Sequence, residues 1–205
     1  MLVRYHLATT HELPPITAPL YEYVFAGNGI FKRARRDLMS ATIPICSGRI
    51  SGLAPVKAEF ITNFGIVPAT AMTQILEIAS GAAKEGLESL FYLSFRADRW
   101  ELEIPRQFQT CNSVEPAEKG RGSPYERAVI EIHSHHRMPA RFSRADDSDE
   151  TGFRIYGVIG NINPARDHWP MINLRLGVYG DWWSLRADRI LEMPLRLRDL
   201  NADLE

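Results

Sequence analysis

The chain has 205 residues, of which 45% are hydrophobic and 24% are charged. This composition excludes a mostly disordered protein, and the length allows a core of useful size to be buried. Its 24 basic and 25 acidic side chains give a formal net charge of -1, so no overall field attracts nucleic acid or an anionic membrane. The chain has only two cysteines, and it has neither an apolar run long enough to cross a bilayer nor an apolar leader. We therefore expect a cytoplasmic protein.

The first part of the chain, residues 1–64, is predicted to be a β-rich N-terminal extension. Short β-like runs lie between several prolines. Residues 21–26 and 30–36 flank Gly27-Asn28-Gly29, a turn signal that predicts a β-hairpin.

The second arm of that hairpin carries a basic cluster, consisting of Lys32, Arg33, Arg35 and Arg36. Two interpretations remain open for it. The cluster is a contact surface for an acidic partner, or it is the solvated face of a strand.

Residues 65–190 are predicted to form an α+β domain, followed by a C-terminal tail at 191–205. A helix is expected after Pro68, with apolar residues at helical spacing and a stop near Gly86. Several antiparallel strands follow, at about 89–95, 100–104, 127–134, 153–159, 172–179 and 182–187. The polar stretch 109–125 is predicted to be a mobile loop.

The most informative segment is His133-Ser134-His135, with Ser143 and Asp146 downstream. Side chains at i and i+2 of a strand share a face, so the two imidazoles are expected side by side. Ser143 and Asp146 are spaced as N-cap and third residue of a helix. Two imidazoles and one carboxylate would leave a fourth zinc position for water. Taken singly, His133 has a simpler interpretation as a half-buried histidine, and Ser143 with Asp146 as a capping box.

This spacing resembles the signature of the JAB/MPN (JAMM) metalloprotease family, which is H-[ST]-H-P, six residues, S, two residues, D. The resemblance implies that Zn²⁺ is held by His133, His135 and Asp146. It also implies a JAB/MPN-like, cytidine-deaminase-like mixed sheet with flanking helices. One departure is visible, because His136 stands where the family has proline. We expect altered loop geometry there, with His136 either uninvolved or touching substrate.

The family also needs a glutamate as general base at a helix-to-strand junction. Glu88, 45 residues before His133, stands at such a junction. Glu85, one turn earlier, is the alternative. Ser143 is expected to hydrogen-bond the developing oxyanion. His168 is isolated and is expected on a surface loop, not as a fourth ligand.

The resemblance implies a zinc-dependent metallopeptidase or isopeptidase that hydrolyses a peptide or isopeptide bond, often at the C-terminal tail of a ubiquitin-like protein. The opening region plus this module also resembles the JAB-domain protein A subgroup of the bacterial PRTRC cassette. That similarity implies an E1-like, ThiF-related partner. The alternative is a non-catalytic JAB scaffold that binds a ubiquitin-like or E1-like partner. A hydrolase of small amides or a DNA-repair-associated module is a third interpretation.

Overall fold

The computed structural model describes residues 1–162 and 169–204. Within these ranges the strands are β1 (Val3–Leu7), β2 (Tyr21–Ala26), β3 (Gly29–Arg36), β4 (Met39–Ser47), β5 (Glu59–Thr62), β6 (Leu90–Arg96), β7 (Arg99–Glu103), β8 (Gln107–Gln109), β9 (Val114–Pro116), β10 (Ile130–Ser134), β11 (Phe153–Gly160), β12 (Met171–Val178), β13 (Asp181–Leu185) and β14 (Arg198–Asp199). The α-helices are α1 (Ala69–Lys84), α2 (Pro124–Arg127) and α3 (Arg144–Asp149). The fold is therefore of the mixed α+β type, as predicted.

The chain divides into two units. The first comprises Met1–Asn63, Ser148–Phe153 and Gly177–Trp183, and the second comprises Phe64–Asp147, Arg154–Leu176 and Ser184–Glu205. The predicted division into an extension, a domain and a tail stays a prediction. No helix among the described residues is long and apolar enough to cross a membrane.

The first unit contains a five-stranded sheet in the order β1-β2-β3-β4-β5. Strand β1 runs parallel to β2, and the other pairs are antiparallel. The predicted hairpin is confirmed as β2 and β3. Its turn requires glycine at position 29, where φ is 143° and a Cβ atom would lie 2.1 Å from the carbonyl oxygen of Cys46.

Two members of the basic cluster are buried, which contradicts both interpretations for them. Lys32 and Arg33 are each 3% exposed. Lys32 Nζ lies 2.6 Å from Asp181 Oδ2, and Arg33 Nη2 lies 2.5 Å from Glu22 Oε2. The reason is that β3 is the central strand of its sheet, so a charge on either face needs a buried partner. Arg35, further along, is exposed.

Most of the second unit is a mixed sheet in the order β13-β12-β11-β10-β6-β7, with β14 beside β12. Strand β10 is antiparallel to β6 but parallel to β11, so this sheet is mixed, as the family resemblance implied. Parallel neighbours require a crossover connection, and the segment that carries α3 supplies it between β10 and β11. The predicted helix is confirmed as α1, which buries Met72, Ile75, Ala79 and Ala83. Gly86, at φ 70°, follows its end.

The predicted mobile loop 109–125 was wrong in part. Strands β8 and β9 form a two-stranded hairpin, and α2 follows it. The polar side chains that suggested a loop serve as backbone partners instead. The Gln109 side-chain amide, for example, donates a hydrogen bond at 2.6 Å to the carbonyl oxygen of Glu88, two residues before β6. This β8–β9 hairpin therefore lies against the start of β6.

Candidate functional site

The three predicted metal ligands lie together. His133 lies on β10, His135 directly follows that strand, and Asp146 is on the first turn of α3. His133 Nε2 is 3.0 Å from His135 Nε2 and 3.4 Å from Asp146 Oδ1. His135 Nε2 is 3.9 Å from Asp146 Oδ2. Among the residues that the structure describes, this is the group of histidine, cysteine or carboxylate side chains that could hold a metal ion.

The spacing of these donor atoms suits a small tetrahedral cation. Ligands about 2.0–2.1 Å from zinc are separated from one another by roughly 3.3 Å, and the observed spacings lie on either side of that value. His135 Nδ1 lies 3.2 Å from the carbonyl oxygen of Pro139. Because a carbonyl can only accept, Nδ1 carries the hydrogen and Nε2 keeps its lone pair for a metal. Sequence reasoning did not find the Pro139 carbonyl, since any residue supplies that group.

His133 is held in the neutral form that ligates metals. Its pKa is lowered to about 4, chiefly by burial; Asp146 opposes this shift, and the charges of His135 and Arg175 contribute to it. Burial acts in this direction because it penalises the charged imidazolium.

Ser143 and Asp146 form the capping box that was the simpler interpretation, and Asp146 faces the histidines as well. The Ser143 N–H donates to Asp146 Oδ2 at 2.5 Å, and the Asp146 N–H donates to Ser143 Oγ at 3.2 Å. Asp146 Oδ2 accepts one hydrogen bond of the cap, and Asp146 Oδ1 faces His133. Ser143 Oγ is the acceptor of the other hydrogen bond in this cap.

Glu88 lies two residues before β6 and is 3% exposed. His133 pairs with Leu90 across β6 and β10, and continuing that antiparallel register places Glu88 opposite His135. Ser89 and Ser134 extend the pairing, because the Ser134 N–H donates to Ser89 O at 2.8 Å. The register therefore brings the glutamate and the histidine pair to one end of the sheet.

The surroundings of the Glu88 carboxyl shift its pKa. Burial raises its pKa to about 7, and the negative charge of Asp146 adds to the rise. Its Oε1 atom is buried without a hydrogen-bond partner in the described part of the chain. The alternative, Glu85, is an exposed residue at the C-cap of α1.

His136 stands where the family has proline, and the backbone there has the altered geometry that we expected. Its φ is 33°, in the left-handed region, which proline cannot adopt. Its Nε2 lies 2.7 Å from the carbonyl oxygen of Cys111, so the side chain is directed to the β8–β9 hairpin. His168 lies outside the described residues.

A family model described as prokaryotic homologs of the JAB domain matches residues 77–172. That range contains the two histidines, Ser143, Asp146 and Glu88. Residues 77–172 are therefore similar to JAB domains. The resemblance read from the residue spacing is thereby confirmed at the level of the JAB/MPN family.

No curated protein matches the chain. The solution structure of protein DSY2949 from Desulfitobacterium hafniense is 20% identical, with a TM-score of 0.39. The match covers 66% of this chain and 94% of that one. Values at this level do not establish a common fold.

Proposed function

We propose that this protein is a zinc-dependent metallopeptidase or isopeptidase. The observation that carries the proposal is the set of donor atoms 3.0–3.9 Å apart, next to a buried glutamate whose pKa is about 7. JAB domains include hydrolases, and this chain retains the residue types that such chemistry needs. The second unit is proposed to have the cytidine-deaminase-like arrangement of that family.

His133, His135 and Asp146 would hold the zinc ion. Zinc bound by two imidazoles and one carboxylate supplies a water of lowered pKa and polarises a substrate carbonyl. The neutral His133 can bind it without losing a proton, and the Pro139 carbonyl already orients His135.

Glu88 would accept a proton from the attacking water and return it to the departing amine. A general base works best with a pKa near the working pH, and burial brings Glu88 to about 7. Ser143 would donate its hydroxyl hydrogen to the carbonyl oxygen as negative charge develops there.

The proposed substrate is a peptide or isopeptide bond at the C-terminal tail of a ubiquitin-like protein. An E1-like, ThiF-related protein is the proposed second partner, as in the PRTRC cassette. Both proposals are supported by the family resemblance and by the retained site residues.

The test combines metal content with cleavage. We expect purified protein to contain about one zinc per chain by mass spectrometry, and the double change His133→Ala with His135→Ala to remove it. Wild type should cleave a ubiquitin-like protein that carries a C-terminal peptide extension, with products identified by mass. Glu88→Gln should abolish cleavage but keep the zinc.

Glu85→Gln is the matched control, because Glu85 is exposed and lies one helical turn away. It should retain both zinc and cleavage. A wild-type protein without zinc, after growth with added zinc, would contradict the proposal. Zinc without any cleavage would favour the scaffold interpretation.

A further inference from the structure

Two consecutive residues of the β8–β9 hairpin, Gln109 and Thr110, contact the segment that carries Glu88. The Glu88 N–H donates to the carbonyl oxygen of Thr110 at 3.0 Å. The Gln109 side-chain amide donates to the Glu88 carbonyl oxygen at 2.6 Å and to Ser89 Oγ at 3.1 Å. Both backbone polar groups of Glu88 are therefore bonded to the hairpin.

The next residue of the hairpin, Cys111, contacts the segment that carries the histidines. The Arg137 N–H donates to His136 Nδ1 at 2.7 Å, so Nδ1 is an acceptor and Nε2 carries the hydrogen. Nε2 therefore donates to the Cys111 carbonyl oxygen, at 2.7 Å. A proline at position 136 would offer neither this donor nor this backbone conformation.

We propose that residues 109–111 form a clamp that sets the position of Glu88 relative to the metal-binding histidines. Gln109 and His136 are its positioning residues, and neither contacts the reacting atoms. The inference rests on the proposed function for its catalytic meaning. It follows from the bonding of Glu88, whose backbone is fixed by the hairpin while its buried Oε1 lacks a partner among the described residues. Displacement of a catalytic group by about 1 Å can reduce a rate by roughly 100-fold.

Hydrogen exchange tests the clamp without metal or substrate. The variants are His136→Gly, which tolerates the positive φ but lacks the donor, and Gln109→Leu. We expect the Glu88 and Leu90 amides to exchange roughly fivefold faster, the loss of about one net hydrogen bond. The Ile132 amide, inside β10, should be unchanged and serves as the internal reference.

Phe108→Ala is the matched control, since Phe108 lies on the same hairpin and is 67% exposed. It should leave exchange at Glu88 as in wild type. Unchanged exchange at Glu88 and Leu90 in both clamp variants would overturn the proposal. Faster exchange at Ile132 to the same extent would also overturn it, because it would indicate general destabilisation.

Cleavage of the extended ubiquitin-like protein supplies the second readout. Both variants should lower kcat roughly 10- to 100-fold while KM and zinc content stay at wild-type values. A change confined to KM would show that the hairpin binds substrate instead and would overturn the positioning role. Because exchange needs neither zinc nor cleavage, the clamp and the proposed function fail independently.

Discussion

His133 and Glu88 show how one physical effect prepares two different residues. Burial penalises the charged form of each, so it lowers the pKa of the histidine to about 4 and raises that of the glutamate to about 7. A neutral imidazole binds metal, and a carboxyl with this pKa exchanges protons near neutral pH. Opposite pKa shifts of two groups in one site are typical of groups with separate chemical roles.

The raised pKa of Glu88 predicts a stability effect in metal-free protein. A folded pKa above the usual 4.5 means that the carboxyl favours folding below pH 4.5 and that this contribution is lost as pH rises through about 7. Glu88→Gln cannot ionise, so it does not lose this stabilisation as the pH rises. Its free energy of unfolding at pH 8 should exceed that of wild type by roughly 1–3 kcal/mol, since one pKa unit corresponds to about 1.4 kcal/mol. Urea unfolding with EDTA measures this.

At pH 4 wild type and Glu88→Gln should differ little in free energy of unfolding, because the Glu88 carboxyl is largely protonated in both the folded and the unfolded protein. Glu85→Gln, at an exposed position, should show no such pH-dependent difference. Equal stability of wild type and Glu88→Gln at pH 8 would mean that the Glu88 carboxylate is not disfavoured by burial.

Ser143 carries a second prediction at this scale, because it caps α3 and is proposed to stabilise the oxyanion. Ser143→Ala should cost about 1 kcal/mol of unfolding free energy through the lost cap. If its hydroxyl also stabilises the oxyanion, kcat should fall roughly 100-fold with KM unchanged. Ser143→Thr, which keeps a capping hydroxyl, should recover most of the stability. Full activity in Ser143→Ala would limit the residue to its capping role.

At the scale of elements, the position of α3 decides whether Asp146 reaches the histidines. Arg175 on β12 lies beside this helix. Its Nη1 is 2.7 Å from Asp147 Oδ1, and its guanidinium lies 3.7 Å from the centre of the Phe142 ring. The contacts link the first turn of α3 to the sheet that carries His133. Sequence reasoning missed Arg175, because it is 28 residues from Asp147.

Replacing Arg175 should therefore weaken metal binding while leaving every ligand in place. Arg175→Met is expected to lower zinc affinity roughly 10-fold, the usual effect of removing a group that orients a ligand. Competition with a chelating dye measures the affinity. Arg99→Met makes the same chemical change on an exposed strand and should bind zinc as wild type does. Wild-type affinity in Arg175→Met would show that α3 is held in place without this contact.

At the scale of the whole molecule, a near-zero net charge conceals charges that are paired inside the first unit. Glu22 is fully buried, and its Oε2 faces Arg33 Nη2 at 2.5 Å and His6 Nε2 at 3.1 Å. Burial alone would raise its pKa, but hydrogen bonds from the Thr17 and Ala18 N–H groups and the charge of Arg33 lower it. These charges therefore hold the sheet together and do not form a surface for an acidic partner.

The lowered pKa of Glu22 gives a pH dependence opposite to that of Glu88. Its contribution is present above pH 4.5 and is lost as pH falls towards the lowered folded value. Glu22→Gln should lose roughly 3–5 kcal/mol at pH 7, because it leaves Arg33 buried without its partner. Thermal unfolding monitored by circular dichroism should show the penalty shrinking below pH 4.5. A variant as stable as wild type at pH 7 would contradict the role of this pair.

Sequence by itself determined the features that depend on residues close together along the chain. The 21–36 hairpin, helix α1, the capping box and the side-by-side placement of His133 and His135 all follow from turn chemistry, capping or periods of two and 3.6 residues. The spacing of His133, His135, Ser143 and Asp146 was sufficient to indicate the JAB family. The same local reasoning selected Glu88 as the residue at the helix-to-strand junction.

Only the tertiary structure decided which groups are buried and what they meet. Lys32 pairs with Asp181, which is 149 residues away in the sequence. Part of the basic cluster that the sequence placed on a surface is therefore buried. The parallel pairing of β10 with β11, the β8–β9 hairpin and the link from His136 to Cys111 also depend on distant segments. The physical reason is that burial and partner choice set the energy of a charge or hydrogen bond, and these arise from packing that no local pattern encodes.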